Sequence, residues 1–135
     1  MKKLLLVVCI ILVIASITMA AERPTWLAWD TIVYGWPQLN AMGQMEKLSG
    51  ISILGYSWRT YFNPVQLSQV NFYWEWGIQV LSVGLQGGVG LTFPLPIDNT
   101  VLYLSGSMNV TWGLASLLIG GFPIPYPMFG VGIIF

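Results

Sequence analysis

The stretch that most constrains the fold is residues 70–80, VNFYWEWGIQV, in which apolar and polar positions alternate strictly. One set of positions is Val70, Phe72, Trp74, Trp76, Ile78 and Val80, and the other is Asn71, Tyr73, Glu75, Gly77 and Gln79. A period of two predicts a β-strand with one apolar face and one polar, hydrated face. The apolar face is large and rich in tryptophan, so the environment it contacts decides the class of protein.

Composition favours a membrane as that environment. The chain is 56% hydrophobic and 7% charged, whereas globular domains average about 25% charged residues. A water-soluble domain of this size needs more polar side chains to cover its surface. Only helices and closed barrels of strands cross a bilayer, because only they satisfy all their backbone hydrogen bonds internally.

The other segments favour strands over helices. Alternation recurs in Ile51–Phe62, Val83–Phe93, Leu102–Trp112 and Phe129–Phe135, and more weakly at about Trp26–Trp36. Segments of about ten residues with this pattern are typical of transmembrane β-strands. The sequences FNPVQLSQ and PIDNT supply turn residues between neighbouring strands. Glycine and proline disfavour helices in residues 83–97 and 120–127. A helical membrane protein and a secreted soluble β-domain are the alternatives.

Aromatic side chains on these strands suit the boundaries of a bilayer. Transmembrane barrels carry girdles of aromatic residues at both membrane interfaces. We expect Trp58, Trp74, Trp76, Phe93, Trp112 and Phe135 to form such girdles.

Residues 1–20 have the pattern of a cleavable signal peptide. A basic start is followed by an apolar run and then by small residues at Thr18 and Ala20. The apolar run is too short for a membrane span, which needs about 20 residues. We expect a mature domain of residues 21–135 that has lost Cys9, the single cysteine, and keeps three basic and five acidic residues, a net charge of −2. Disulfides and nucleic-acid binding are not expected.

Few residues in the sequence suit catalysis. The chain has no histidine, the commonest general base and metal ligand, and its acidic residues are isolated. We therefore expect no enzyme, with no catalytic, cofactor-binding or metal site and no cofactor. Arg59 and Glu75 are predicted to point inward on neighbouring strands, with Asp30 as a candidate third member of an interior ion-pair cluster. Such a cluster could hold the barrel together or act as a gate.

The C-terminal sequence PMFGVGIIF resembles the last strand of bacterial outer-membrane β-barrel proteins. It ends in Phe135, and Ile133, Val131 and Phe129 precede it at alternate positions. The preceding NTVLYLSGSMNVTWGL is similar to a penultimate strand of small barrels, and the resemblance covers about the last 50 residues. It implies that these four residues signal to the barrel-assembly machinery, that both termini are periplasmic, and that Pro37–Gly50 and Ala115–Pro127 form outer loops, opposite FNPVQLSQ and PIDNT.

The strand count leaves two possibilities. Six strands are readable, but the smallest familiar single-chain barrels have eight. Either Gly113–Gly121 and part of Pro37–Leu48 supply short extra strands, or several chains share one barrel. We therefore predict an all-β protein, an antiparallel transmembrane β-barrel of about eight strands in the outer membrane. Its expected role is structural, anchoring or loop recognition, with a lumen filled by its own side chains. The alternatives are a homo-oligomeric porin-like channel for small solutes and a secreted soluble β-domain that acts as a binding module.

Overall fold

The computed structural model describes residues 24–135, so the predicted signal peptide, residues 1–20, lies outside the described residues. The described chain is a closed barrel of eight antiparallel strands in sequence order, in which the last strand pairs with the first. The strands are β1 Trp26–Trp29, β2 Ile32–Leu39, β3 Met45–Ser52, β4 Gly55–Tyr61, β5 Asn71–Gln79, β6 Gly84–Ile97, β7 Thr100–Gly113 and β8 Ile124–Ile134. One helical turn, α1, spans Leu114–Leu117. The predicted all-β barrel of about eight strands is confirmed.

Strand β5 has the two faces that its alternation predicts. Every odd-numbered residue from Asn71 to Gln79 is buried, and every even-numbered residue between them is exposed. The exposed side points out of the barrel and the buried side points into it. In β6 and β7 the apolar positions also lie on the outer wall, for example Leu85 and Val89 in β6 and Met108 in β7.

Two strand predictions are corrected, and a third is confirmed in part. The single strand expected at Trp26–Trp36 is two strands, β1 and β2, because the chain reverses at Asp30 and Thr31. The predicted extra strand at Gly113–Gly121 is instead α1 and its following turn. The second extra strand is real: β3 takes residues from both the Pro37–Leu48 segment and the start of the predicted Ile51–Phe62 strand.

The turns divide between two ends of the barrel, and this division overturns one predicted loop location. The end that carries Thr25 and Phe135, called here the terminal end, also carries the turns at residues 40–44, 62–70 and 98–99. The opposite end carries residues 30–31, 53–54, 80–83 and 114–123. Pro37–Gly50 was predicted to lie opposite FNPVQLSQ, but its turn lies at the same end, because two strands, β3 and β4, separate these turns where one strand was predicted. Ala115–Pro127 does lie opposite, although its last four residues belong to β8.

Strand lengths differ strongly around the barrel. Strands β6 and β7 have 14 residues each, whereas β1 has four. Strand β1 therefore pairs only with the second half of β8, from Val131 to Ile134. The first half of β8, from Ile124 to Gly130, has β7 on one side and no paired strand on the other.

Two prolines lie along this open edge of β8. Thr25 and Phe135 exchange both backbone hydrogen bonds, at 2.9 and 3.0 Å. Backbone groups alternate sides along a strand, so Phe135 and every second residue before it direct their nitrogen atoms toward the β1 side. Pro125 and Pro127 belong to this set. Because proline has no N–H group, the open edge lacks two donors that could pair with another strand.

Strand β6 also has an edge that is not paired with a strand and carries prolines, at the terminal end of the barrel. Its pairing with β5 stops at Thr92, and the next residue on that side is Pro94, followed by Pro96. The carbonyl of Pro94 accepts a hydrogen bond from Ser68 N–H in the loop after β4, at 2.8 Å. The loop thus satisfies the acceptor, and the prolines remove the donors of the exposed edge.

Candidate functional site

The polarity of the barrel is inverted relative to a water-soluble protein. Its buried positions include the charged residues Asp30, Arg59 and Glu75 together with many amide and hydroxyl side chains. Its outer wall exposes large apolar side chains on every strand from β5 to β8. Examples from that wall are Phe72, Trp74, Ile78, Leu85, Val89, Leu104, Met108 and Phe129. The candidate functional surfaces are therefore the polar interior and the apolar wall.

The centre of the interior is an ion-pair cluster of Arg59, Glu75 and Asp30. Arg59 in β4 and Glu75 in β5 are directly paired in the strand register. Arg59 Nη2 lies 2.8 Å from Glu75 Oε2, and Arg59 Nε donates a hydrogen bond to the same oxygen at 2.8 Å. Arg59 Nη1 lies 2.8 Å from Asp30 Oδ2. The structure thus brings together the three residues that the sequence singled out, with Asp30 contributed by the turn after β1.

One cation therefore serves two buried carboxylates. Arg59 has no exposed surface, and Asp30 and Glu75 are almost completely buried. Asp30 Oδ1 also accepts a hydrogen bond from the backbone N–H of Thr31 at 2.6 Å. A buried charge requires a close partner, because the desolvation of an unpaired ion costs several kcal/mol. The cluster consequently ties the β1–β2 turn to β4 and β5 across the barrel.

Aromatic rings surround the guanidinium group. Arg59 Cζ lies 4.0 Å from the centroid of the Tyr73 ring, a cation–π geometry that favours the charged arginine. Tyr61 contacts Tyr73 edge to face at 5.5 Å, and its hydroxyl lies 3.3 Å from Thr92 Oγ1. Gly90 gives the Tyr73 ring its space, because a Cβ atom there would lie 2.5 Å from Tyr73 Cζ.

An apolar layer closes the interior toward the terminal end. Trp26 and Tyr103 pack edge to face with ring centroids 5.2 Å apart. Trp26 Nε1 donates a hydrogen bond to the carbonyl of Ile32 at 2.8 Å, so its one polar atom is satisfied. Leu48 and Tyr61 belong to the same buried cluster.

A network of neutral polar side chains fills the interior toward the opposite end. Gln86 Nε2 donates to Ser57 Oγ at 2.6 Å, and Gln86 Oε1 accepts from Gln79 Nε2 and from Tyr126 Oη, each at 3.3 Å. Gln79 also bonds to Thr111 and Ser82. No role was predicted for these glutamines from the sequence, although their inward positions follow from the alternation of β5 and β6. The network, the charged cluster and the apolar layer occupy three parts of the barrel interior.

The aromatic residues predicted as girdles are distributed between strand centres and strand ends. Trp58 and Trp76 stack on the outer wall with centroids 4.4 Å apart and an interplanar angle of 19°. Both of these residues and Trp74 lie inside their strands, as does Phe93 in the longer β6. Trp112 lies one residue before the end of β7 and is exposed, and Phe135 directly follows β8.

The four residues of the C-terminal pattern occupy alternate positions on β8. Phe129, Val131 and Phe135 are exposed, and Ile133 is half-buried. All four point outward, since the glycines at 130 and 132 occupy the inward positions next to Asp30 and Trp26. The pattern therefore contributes a continuous apolar stripe beside the β1–β8 junction.

The outer wall also contains an apolar groove of about 580 Å³. Phe62, Phe72, Leu91, Met108 and Phe129 line it around Gly106. A Cβ atom on Gly106 would lie in ordinary contact with Phe129, at 3.6 Å. The groove is one more apolar element of the wall.

Within residues 24–135, no histidine, cysteine, aspartate or glutamate side chains are grouped in a way that could hold a metal ion. The same residues form no helix that is both long and apolar enough for a membrane span. Comparison with known proteins gives no relative: no family model, no curated protein and no solved structure matches the chain. The functional interpretation therefore depends on the geometry described above.

Proposed function

We propose that residues 21–135 form a small outer-membrane β-barrel protein that serves as an anchor, structural element or scaffold for loop recognition. The observation that carries this proposal is the inverted polarity of the barrel: charged side chains lie inside, and tryptophan, phenylalanine and aliphatic side chains cover the outside. In water such a wall would be an exceptionally large exposed apolar patch. In a bilayer it contacts hydrocarbon.

The closed strand pairing supports the same environment. All eight strands are linked in a ring, which is the closed arrangement by which β-strands cross a bilayer. The wall of β6, β7 and β8 carries no charge, since the sequence has no charged residue from 76 to 97 or from 99 to 135. Strands β6 and β7, at 14 residues, exceed the 9–11 residues that a tilted strand needs for a crossing.

The filled interior favours an anchoring or structural role over transport. Arg59, Tyr73 and Trp26 have no exposed surface. Side chains therefore occupy the interior at the height of each of these three residues along the barrel. Eight-stranded barrels have an interior just wide enough for side chains to fill. A homo-oligomeric porin-like channel remains the alternative, but one chain already closes this ring. A soluble binding module would have to cover the exposed tryptophans of β5 with another protein layer.

The proposed partners are the lipid bilayer and the barrel-assembly machinery. Resemblance to terminal strands of outer-membrane barrels supports the second partner, and the outward stripe of Phe129, Val131, Ile133 and Phe135 presents that pattern on one face of β8. The outer-membrane location depends on export through the signal peptide proposed at residues 1–20. Neither a nucleic acid nor a cofactor is part of the proposal.

The proposal is tested by expressing the full chain in a Gram-negative host and fractionating the cells. We expect the protein in the outer-membrane fraction, resistant to extraction by alkaline carbonate and released by detergent. In detergent it should migrate as a compact species before boiling and as a slower species after boiling. Recovery in the soluble fraction without detergent would favour the soluble module instead.

A second measurement separates the two membrane functions. The detergent-purified protein is measured for mass by light scattering and for conductance in a planar bilayer. We expect a monomer without discrete channels. An oligomer with reproducible conductance steps would establish the porin-like alternative.

A further inference from the structure

The loops at the opposite end of the barrel form an apolar crown, defined as residues 80–83 and 114–122. Its side chains are among the most exposed of the described residues: Leu118 is 89% exposed, Leu81 79% and Phe122 70%. Neither loop contains a charged residue. An apolar surface of this kind at the end of a barrel does not suit a loop that lies in water.

Several backbone groups of the crown form hydrogen bonds within it. Leu114 N–H donates to Ser82 O at 3.0 Å, which joins the two loops. Ser116 O accepts from the N–H groups of Ile119 and Gly121, at 3.1 and 2.9 Å, and Gly120 N–H donates to Leu117 O at 3.3 Å. These backbone groups have partners inside the crown, while its large apolar side chains are exposed.

The two serine hydroxyls of the crown are also used internally. Ser116 Oγ donates to Gly113 O at 2.6 Å and accepts from Gly113 N–H at 3.2 Å. Ser82 Oγ donates to Gln79 Oε1 in the lumen network. The crown thus exposes apolar side chains, while its two serine hydroxyls form hydrogen bonds within the protein. This arrangement is expected of a loop in a medium without water.

The terminal end exposes apolar side chains such as Met42 and Phe62, but it also carries charged and amide side chains, which the crown lacks. Glu46 and Lys47 are exposed beside its first turn, and Asp98 lies in its last. Its long loop, residues 62–70, contains Asn63, Gln66 and Gln69. These side chains suit water, so the two ends of the barrel are adapted to different surroundings.

We propose that the crown is immersed in lipid acyl chains, so that the barrel is embedded asymmetrically, with its terminal end in water and its opposite end within the hydrocarbon layer. The inference rests on the proposed membrane function and extends it from the wall to one end. Lipid is the occupant because the crown continues the wall without interruption: Trp112, Leu85 and Ile78 lie directly beneath it as one outward row. A protein partner would instead require a polar rim that offers hydrogen bonds.

Single cysteines introduced in a Cys9→Ser background test this inference. Leu118→Cys reports on the crown, Met42→Cys on the turn at the terminal end, and Val89→Cys on the middle of the wall. Leu118, Met42 and Val89 are all well exposed, at 89%, 77% and 59%. Each variant is reconstituted in lipid nanodiscs, which leave both membrane faces open, and is reacted with a charged maleimide. We expect Met42→Cys to react at least about tenfold faster than Leu118→Cys and Val89→Cys.

A fluorophore attached at position 118 distinguishes lipid from protein. Quenching by nitroxide-labelled acyl chains is expected if hydrocarbon surrounds the crown. Protection from maleimide without such quenching would mean that a protein covers the crown, and the inference would be wrong. Rapid labelling at position 118 with slow labelling at position 89 would refute the immersion of the crown in lipid but not the membrane location of the wall. Rapid labelling at all three positions would refute the membrane proposal itself.

Discussion

Arg59 and Glu75 are directly opposed across β4 and β5, and Arg59 Nε donates a hydrogen bond to Glu75 Oε2 at 2.8 Å, while Nη2 lies 2.8 Å from the same oxygen. The same guanidinium reaches Asp30 with its remaining Nη1. The three residues therefore do not contribute equally to the cluster. Arg59 pairs with both carboxylates, whereas either carboxylate can be lost while the arginine keeps the other.

Arg59→Gln is expected to be the most damaging single change in the interior. It leaves Asp30 and Glu75 buried without a cation, and removing one partner of a buried ion pair costs about 3–5 kcal/mol. Urea unfolding in lipid, followed by tryptophan fluorescence, measures the loss. Arg59→Lys keeps the charge but not the planar donor fork, so its loss should be intermediate. A free energy of unfolding for Arg59→Gln within 1 kcal/mol of wild type would contradict the proposed role.

Glu75→Gln should cost less than Arg59→Gln, about 1–3 kcal/mol, because Asp30 still neutralises the arginine. Asp30→Asn is expected to behave similarly. The double variant Asp30→Asn/Glu75→Gln leaves Arg59 without an anion, so its loss should exceed the sum of the single losses. A double-mutant cycle of unfolding free energies measures this difference. Simple additivity would show that the two carboxylates do not act through a shared cation.

A charge on the outer wall should destabilise the barrel according to its depth in the bilayer. Leu91 in the middle of β6 and Leu39 at the end of β2 are similarly exposed, at 40% and 44%. Leu91→Arg is expected to cost about 2–4 kcal/mol and Leu39→Arg about 0–1 kcal/mol, since the cost falls toward the interface. The measurement is reversible unfolding from vesicles. Equal costs at both positions would place the wall in water.

Gly90 should not tolerate a side chain, because the Tyr73 ring occupies its space. A Cβ atom at position 90 would lie 2.6 Å from Tyr73 Oη, whereas one at Gly87 meets its nearest neighbour, Glu75 O, at 3.5 Å. Gly90→Ala is expected to cost about 1–3 kcal/mol through overpacking. Gly87→Ala on the same strand is the control and should stay within about 0.5 kcal/mol of wild type. Comparable losses at the two glycines would argue against the close fit.

Restoring backbone donors to the open edge of β8 should promote association between chains. Pro125→Val/Pro127→Val places two N–H groups on the side that β1 leaves unpaired. Unpaired strand edges recruit other strands, so we expect dimers or larger species in detergent, measured by light scattering after size exclusion. Pro64→Val in the loop after β4 removes a proline away from any strand edge and should leave the monomer unchanged. A monomeric double variant would show that the prolines do not protect the edge.

The sequence was informative wherever one strand kept a single period. In β5 the alternation from Asn71 to Gln79 predicts both faces correctly, because no bulge interrupts the strand. It failed at the β1–β2 boundary, since the turn at Asp30 and Thr31 contains neither glycine nor proline. In β3 the consecutive Glu46 and Lys47 break the alternation, and the pairing with β2 is irregular beside them. Alternation therefore disappears where the ladder shifts register.

Proline also misled the strand assignment. The segment that contains Pro125 and Pro127 reads as a loop, yet both residues lie inside β8. Proline is compatible with a strand only where its nitrogen faces an unpaired side, and that condition depends on the length of β1. The interior cluster was predictable in part, because Arg59 and Glu75 follow from strand polarity. Asp30 reaches them only through closure of the barrel, which no local pattern specifies.

The four-residue β1 has a consequence for how the chain folds. Trp26 pairs with Ile134, and Leu27 pairs with Ile133, so the ring closes through contacts between positions far apart in the sequence. The other strand pairs are sequential hairpins, which can form early because little chain entropy is lost in their loops. The junction between the first and last strands joins nearly the whole length of the described chain through four register pairs. Ring closure is therefore the entropically most demanding step, and the rate of assembly should depend on this short seam more than on the long hairpin of β6 and β7.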